Sequence, residues 1–287
     1  LLSSAASDVY KRQIWRFQFE FSKSFNEEPI ANWIESEETF LDKTVKLDGE
    51  KFKGSASYIR LSRNTEHWNT NIFYKGISPG FRADVGFVPR INRRYGSIYQ
   101  GYTSFFDKKY LKEFNAGIKG DINYNYDNKL KTKNFDFILT IKTFGKTEIG
   151  YGYEYNLIRN YLNVDFKNYG KSGIGIRGFP TENLTFAFEG KFGKEIAFNE
   201  EVPKIGREKN VSFNLAYKLG NNINLSSSIN YSRLENLDNN KAIYDGYISR
   251  LSFRYQFNND LSLRLVAEYN KFNDTFLVQP LLKWNPN

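Results

Sequence analysis

The sequence predicts an all-β fold, an antiparallel up-and-down transmembrane β-barrel of roughly 14–16 strands. Apolar and polar residues alternate with a period of two along the chain, many alternating segments are 10–13 residues long, and short links containing Asn, Gly or Asp separate them. Tilted strands of about 9–11 residues span a bilayer, whereas soluble strands average about 5–6. A membrane helix is excluded, because no apolar run exceeds three residues and mean hydropathy is −0.60.

The predicted elements follow the alternation in chain order. Residues 1–13 resemble a non-native leader, so the predicted barrel domain occupies 14–287. Its first strand covers 15–21, and the less regular, partly acidic region 23–53 fits a long turn, a lumen segment or a weak strand pair. Later segments alternate most clearly, and each predicts a half-exposed strand: 114–126, 147–157, 211–219, 223–231, 247–257, 261–269 and 275–284.

The links divide into two sets that alternate along the chain, as expected for the two rims of a barrel. The set predicted to face the periplasm is 127–132, 158–160, 180–183, 220–222 and 258–260. The set predicted to be external is 107–113, 144–146, 169–172, 193–209, 232–246 and 271–274. Barrels of this type have short periplasmic turns and longer external loops. The same parity places the segment 76–90 at the periplasmic end.

Composition excludes several kinds of chemistry. The chain has no Cys and a single His, so disulfides, thiolate nucleophiles and zinc sites built from several N or S ligands are excluded. Its 41 Lys+Arg against 32 Asp+Glu give a formal net charge of +9, spread without a run of five like charges. Diffuse charge is typical of a solvated surface, so no nucleic-acid partner is predicted. No cofactor, metal or catalytic residue is predicted.

Three motifs have both a functional and a structural interpretation. Gly173 to Gly178 match a dinucleotide-binding glycine pattern, but an alternating strand rather than a helix follows, which favours lumen space or strand curvature. His67 beside Trp68 is typical of an interfacial or loop residue. Glu148 and Glu154 lie on one face of one strand about 20 Å apart, which is too far for a glycosidase pair and indicates charges of the lumen wall.

The segment 76–90 contains two prolines and three glycines, which interrupt any central strand. One interpretation is an ordered segment folded toward the lumen, whose arginines bind anionic groups. The other is a structured turn with arginines at the lipid headgroups. The candidate ligand-binding residues are therefore those of this segment and the two lumen-wall carboxylates: Arg82, Asp84, Arg90, Arg93, Arg94, Glu148 and Glu154.

Three stretches also carry a family resemblance: Leu47-Asp48-Gly49-Glu50-Lys51-Phe52, the segment 76–90, and the closing residues 281–287. They resemble the C-terminal barrel region of bacterial outer-membrane proteins that pair it with an N-terminal domain similar to family 9 carbohydrate-binding modules. The resemblance covers nearly all of 14–287. It implies a barrel region of uncharacterised function and supplies no catalytic residue. It also implies that this chain is a fragment, lacking the N-terminal domain and a final aromatic-rich strand.

The expected location is the cell outer membrane of a Gram-negative bacterium. The expected function is saccharide binding or passage through a polar lumen, or the anchoring of a carbohydrate-binding domain at the membrane. The expected partners are membrane lipid or lipopolysaccharide, carbohydrate and the barrel-assembly machinery. Two alternatives stay open: an outer-membrane hydrolase acting on glycans or lipids, and a soluble β-sheet binding module.

Overall fold

The structure is a computed structural model that describes residues 15–27, 30–31, 39–40, 43–44, 47–82, 90–198 and 202–285. The predicted leader 1–13 and the candidate residue Asp84 lie outside these ranges. The described chain is all-β apart from one turn of 3₁₀ helix at Phe144–Lys146. Among the described residues, no helix has the length and apolar character needed to cross a membrane.

Fourteen long strands account for most of the described residues, and they form one antiparallel sheet in which each strand pairs with its neighbours in the chain. This confirms the predicted all-β, up-and-down fold and a strand number within the predicted range. β1 and β14 stand at the two ends of the sheet order. The strands are β1 Trp15–Glu27, β2 Lys51–Asn64, β3 Trp68–Ile77, β4 Arg93–Phe105, β5 Leu111–Tyr124, β6 Leu130–Thr143, β7 Glu148–Tyr161, β8 Val164–Thr181, β9 Leu184–Ile196, β10 Ile205–Leu219, β11 Ile223–Asn236, β12 Ala242–Gln256, β13 Leu261–Asn270 and β14 Thr275–Trp284.

The chain divides into two compact units. The first contains residues up to 102 together with 118–135 and 157–160, and the second contains 103–117, 136–156 and the residues from 161 onward. The first unit therefore holds β1, β2 and β3 complete, and the second holds β8 to β14 complete.

In the second unit the pairing register separates an apolar face from a polar face. Phe213 of β10 lies between Phe188 of β9 and Ile229 of β11, whereas the next residue, Asn214, lies between Ala187 and Ser228. Side chains alternate between the two faces of a strand, so this register aligns the apolar positions of neighbouring strands. The same face continues through β12 and β13, where Phe253 pairs with Leu225 and Leu265.

The first unit has the same two faces. Phe17 and Phe19 of β1 pair with Leu61 and Ile59 of β2, while the intervening Gln18 pairs with Arg60. The apolar side chains are not covered: Phe17 is 67% exposed and Phe19 is 58% exposed. A soluble sandwich would bury such a face against a second sheet.

The described residues of the region 23–53 fit one of its three interpretations, the weak strand pair. β1 continues to Glu27, and the two-residue segments Ile30–Ala31 and Leu47–Asp48 pair with each other. Thr39–Phe40 and Lys43–Thr44 form a second short ladder. The other residues of the region between 28 and 46 lie outside the described ranges.

The predicted link at 169–172 is wrong, because these residues lie inside β8. Gly170 suggested a turn, but a Cβ there would lie 2.5 Å from the carbonyl oxygen of Glu154, so close approach of β7 explains the glycine. The predicted link at 158–160 is displaced to 162–163, where Leu162 and Asn163 have φ of 48° and 62°. Two such residues form the tight hairpin turn that matches strand twist.

Removing one link changes the set to which every earlier link belongs. In the observed order one set contains the three longest links, 28–50, 78–92 and 197–204, and is called the long-link set. Its other members are 125–129, 162–163, 237–241 and 271–274. The short-link set is 65–67, 106–110, 144–147, 182–183, 220–222 and 257–260. By strand order the link 78–92 thus falls in the same set as 197–204 and 237–241, and not in the set to which the sequence parity assigned the segment 76–90.

The two longest predicted loops, 193–209 and 232–246, are also too long. The links observed there are 197–204 and 237–241, because β9, β10, β11 and β12 each continue past the predicted ends. The additional paired residues at these strand ends are charged, and their charge led to the prediction of a loop from sequence. In the structure they form cross-strand ion pairs such as Arg233 with Asp245, at 2.8 Å.

Candidate functional site

The polar face of the second unit carries a shallow groove whose floor is made of glycines. Gly150 and Gly152 come from β7, and Gly173 and Gly175 come from β8. Its volume is about 490 Å³, and Glu148, Arg177, Glu189, Lys191 and Asn214 are among its lining residues. The glycine pattern that resembles a nucleotide motif is therefore part of a strand that shapes this floor.

These glycines create space rather than accommodate close packing. A Cβ at Gly150, Gly152, Gly173 or Gly175 would find its nearest neighbour at 3.7–3.9 Å, an ordinary contact distance. Any larger side chain would therefore project from the sheet into the groove. The interpretation of Gly173 to Gly178 as residues that leave open space is confirmed for Gly173 and Gly175.

A second groove of about 470 Å³ lies on the same face, over β8 to β12. Its lining combines guanidinium groups, hydroxyls and an amide: Arg177, Thr185, Asn214, Ser226, Ser227, Ser228, Arg250 and Ser252. The Arg250 guanidinium lies 3.7 Å from the Glu268 carboxylate. Hydroxyl, amide and guanidinium groups offer both donors and acceptors, as a polyhydroxylated ligand requires.

A third groove of about 240 Å³ surrounds Lys171, with Asp136, Glu154 and Lys191 in its wall. The Lys171 ammonium lies 2.5 Å from the Glu195 carboxylate and 3.4 Å from that of Glu208. All three side chains are largely buried, so the ion pairs are screened little by solvent. The sequence analysis placed Lys171 in the predicted link 169–172 and Glu195 and Glu208 in the predicted link 193–209, so only the strand pairing shows that these residues meet.

Both predicted lumen-wall carboxylates lie on this polar face, in different grooves. Glu148 begins β7 and lines the glycine-floored groove, whereas Glu154 lines the Lys171 groove. The Glu154 carboxylate accepts a hydrogen bond from the Asn156 amide at 2.9 Å. Their separation along one strand is as expected from sequence, and their role in ligand binding stays a prediction.

The described part of the segment 76–90 lies on the polar face of β1 and β2. The backbone N–H of Ser78 donates to the Ser55 carbonyl at 2.9 Å, and the backbone N–H of Arg82 donates to the Ser24 hydroxyl at 2.9 Å. The Arg82 guanidinium stacks 4.0 Å from the centre of the Phe52 ring and donates to the carbonyls of Pro79 and Phe81. Arg82 therefore holds its own segment in place.

Arg93 and Arg94 start β4 and point to opposite faces, so the predicted arginine group is divided. Arg93 donates to the Asn123 side-chain oxygen at 3.2 Å and stacks 4.3 Å from the centre of the Tyr95 ring. Arg94 donates to the Asn125 carbonyl at 2.8 Å and to the Asn128 side chain at 2.6 Å, which ties it to the link 125–129. Arg90 is exposed.

The turn held by Arg94 also contains Tyr126, whose backbone N–H donates to the Asn92 side chain at 2.8 Å. Burial of this phenol raises the pKa of Tyr126 above its ordinary value, and Tyr74 adds to the rise while Arg94 opposes it. The Arg94 guanidinium lies 5.5 Å from the centre of the Tyr126 ring, so both side chains pack in this turn.

A polar network in the first unit was missed by sequence reasoning. Asp121 of β5 is buried and accepts hydrogen bonds from the Tyr95 hydroxyl at 2.5 Å, the Lys119 ammonium at 2.6 Å and the Asn134 amide at 3.3 Å. The signal was the polar face Lys119, Asp121, Asn123, but its partners on other strands could not be read from a linear pattern. Its saturated hydrogen bonding indicates a structural role.

His67 lies in the link 65–67 and its ring stacks on that of Tyr102 at 6.0 Å, consistent with the loop interpretation. Among the described residues, no group of three or more His, Asp or Glu is arranged to hold a metal ion.

The comparisons with known proteins add no relative to this geometry: no protein-family model matches the chain, and no curated protein shows significant similarity to it.

Proposed function

We propose that the chain is an outer-membrane β-barrel whose polar face lines a wet lumen. Either the lumen binds saccharides and lets them pass, or the barrel holds a carbohydrate-binding domain at the membrane. One observation carries this proposal: the sheet has an uncovered apolar face and, on its other face, grooves with open floors and polar walls. A lipid-facing exterior and a hydrated interior require this combination.

The apolar face supports the membrane location. Its side chains are exposed over strands of 10 to 18 residues, from Phe17 and Phe19 in β1 to Phe276 in β14. Exposed apolar surface of this extent is unfavourable in water at roughly 25 cal/mol per Å². Lipid removes that cost, so the bilayer is the natural solvent for this face.

The polar face supports a saccharide as the ligand. Sugars present many hydroxyls, each of which donates and accepts hydrogen bonds. The two larger grooves supply both functions through Asn214, the serines of β11, the carboxylates of Glu148 and Glu189, and the guanidinium of Arg177. Their volumes of about 490 Å³ and 470 Å³ are within the range of small-molecule sites.

The first test is detergent-dependent folding of the full chain, measured by its mobility on a gel with and without boiling. We expect a mobility shift on boiling only after refolding in detergent or lipid. Cooperative folding in plain buffer would instead support the soluble binding module and contradict the membrane location.

The second test is saccharide flux through the refolded protein in lipid vesicles. We expect Gly152→Leu and Gly173→Leu to reduce the flux, because each new side chain enters a groove that is open in the structure. Ser262→Leu, on the polar face of β13 outside these grooves, is the matched control and should leave the flux unchanged. Equal flux in all variants would contradict the polar face as the route, and hydrolysis of the added glycan would favour the hydrolase.

A further inference from the structure

The apolar face of the second unit ends in a group of positive charges next to the long-link set. Along β9 and β10 the apolar pairs Phe186–Leu215 and Phe188–Phe213 are followed, on the same face, by Phe192–Lys209 and Lys194–Arg207. Along β10 and β11, the pair Val211–Tyr231 is likewise followed by Lys209–Arg233. The charges therefore stand at the end of the exposed apolar surface, and the pair that follows them, Ile196–Ile205, belongs to a buried cluster.

These cations outnumber the carboxylates that they contact. Glu235 is shared by three of them, with Arg233 at 2.7 Å, Lys209 at 3.3 Å and Arg207 at 3.6 Å. Asp245 pairs with Arg233, and Glu208 contacts Lys171 instead. Arg207, Lys209 and Arg233 thus share the two carboxylates Glu235 and Asp245. With Lys194, the four cations exceed these two carboxylates by two positive charges among the described residues of this region.

Three of these cations line a groove of about 460 Å³, called here the basic groove, together with Tyr153, Tyr155 and Phe192. Gly170 also lines it and lets the two tyrosines pack closely against β8, since a Cβ at this position would lie 3.1 Å from the Tyr153 hydroxyl and 3.2 Å from the Tyr155 ring. The basic groove therefore combines cations at its rim, aromatic rings in its wall, and an apolar surface that continues below it.

We propose that the basic groove binds the phosphorylated sugar headgroup of a glycolipid in the outer leaflet, of the lipid A type. This inference rests on the proposed membrane location and adds a lipid partner with a defined site. Lys194, Arg207 and Lys209 bind the phosphate oxygens through charge-assisted hydrogen bonds. The aromatic rings contact the sugar, and the acyl chains lie along the apolar face of β9 and β10.

Position favours a lipid over a free anion. A soluble phosphate could use any exposed cation, whereas this groove opens on the apolar face of the sheet and begins where its exposed apolar residues end. The long-link set, beside which it lies, is the external one by the rule that external loops are longer. Phosphorylated glycolipids are the lipids of that leaflet.

The test compares three probes on the full chain refolded in detergent: lipid A with its phosphates, enzymatically dephosphorylated lipid A, and inorganic phosphate. We expect Lys194→Ala/Lys209→Ala to raise the Kd for phosphorylated lipid A about tenfold or more, with no change for the dephosphorylated lipid. Arg207 and Arg233 remain to pair with Glu235 in this variant.

The matched control is Lys218→Ala/Lys283→Ala, which removes the same charge from exposed lysines at the other ends of β10 and β14. Its Kd should equal that of the unmodified chain; an equal loss in both double variants would show non-specific attraction and overturn the site. Inorganic phosphate binding as tightly as lipid A would also overturn it, in favour of a soluble anion. If the double variant does not fold, Lys194→Ala alone should still weaken binding.

Failure of the proposed function is distinguishable from failure of this inference. A chain without a detergent-dependent mobility shift contradicts the membrane barrel itself. A chain that shows the shift but binds both forms of lipid A equally contradicts only the basic groove.

Discussion

At the scale of single residues, glycine has two different roles in this sheet. Gly173 and Gly175 leave space that a ligand could occupy. Gly54 instead permits close approach, because a Cβ there would lie 2.1 Å from the backbone nitrogen of Phe81 and 2.2 Å from its Cα. The segment 78–82 can cross the polar face of β2 only because position 54 has no side chain.

We therefore expect Gly54→Ala to destabilise the fold by about 1–3 kcal/mol, as overpacking against backbone does. The matched control is Gly120→Ala, whose Cβ would meet the Ile98 side chain at an ordinary 3.6 Å. The measurement is the urea midpoint for unfolding from lipid vesicles. If the two variants unfold at the same urea concentration, the crossing at Gly54 is not a tight one.

At the scale of the element, each strand presents two chemically different surfaces, one apolar and one polar. In β10 the neighbours Phe213 and Asn214 differ only in the face on which they lie, and the pairs across β9 and β11 keep that difference in register. A slip of one residue would exchange the faces, so the alternation specifies the register as well as the strand.

We expect Phe213→Arg to cost about 2–4 kcal/mol of folding free energy in lipid, the range for a cation on the lipid face near the bilayer midplane. Asn214→Arg introduces the same side chain one residue later on the polar face, and we expect a cost below about 1 kcal/mol. Both are measured by reversible unfolding from vesicles. A cost for Asn214→Arg as large as that for Phe213→Arg would show that the polar face is not hydrated.

At the scale of the whole molecule, the links fall into two sets of different length. The long-link set includes the segment 78–92, which sequence parity had assigned to the opposite rim. β14 starts at the link 271–274 of the long-link set and therefore runs toward the side of the short-link set. This is the direction predicted from sequence, in which β14 runs toward the periplasmic rim.

The absence of Cys allows this orientation to be tested with single-Cys variants. In cells that export the chain to the outer membrane, we expect Asp127→Cys and Asp238→Cys, in the long-link set, to react with a membrane-impermeant maleimide. Asn221→Cys, in the short-link set, should react only after permeabilisation. Labelling of Asp238→Cys together with protection of Asp127→Cys would restore the parity predicted from sequence.

The sequence by itself determined the all-β class, the approximate strand number, the two faces and most strand positions, because side-chain alternation is a local property with a period of two. The prediction of links failed at 158–160 and at 169–172. Residues 169–172 have a composition typical of turns but lie inside β8, and the observed turn is at Leu162 and Asn163. The false link at 169–172 reversed the set assigned to every earlier link.

Only the tertiary structure decided which polar residues meet. Glu148 and Glu154 could be placed on the polar face from sequence, but their separate grooves depend on β6, β8 and β9 as neighbours. The same holds for the division of Arg93 from Arg94, the inward fold of the segment 78–82, and the basic groove. Each results from the register of residues far apart in the chain, and a linear pattern carries no information about such pairings.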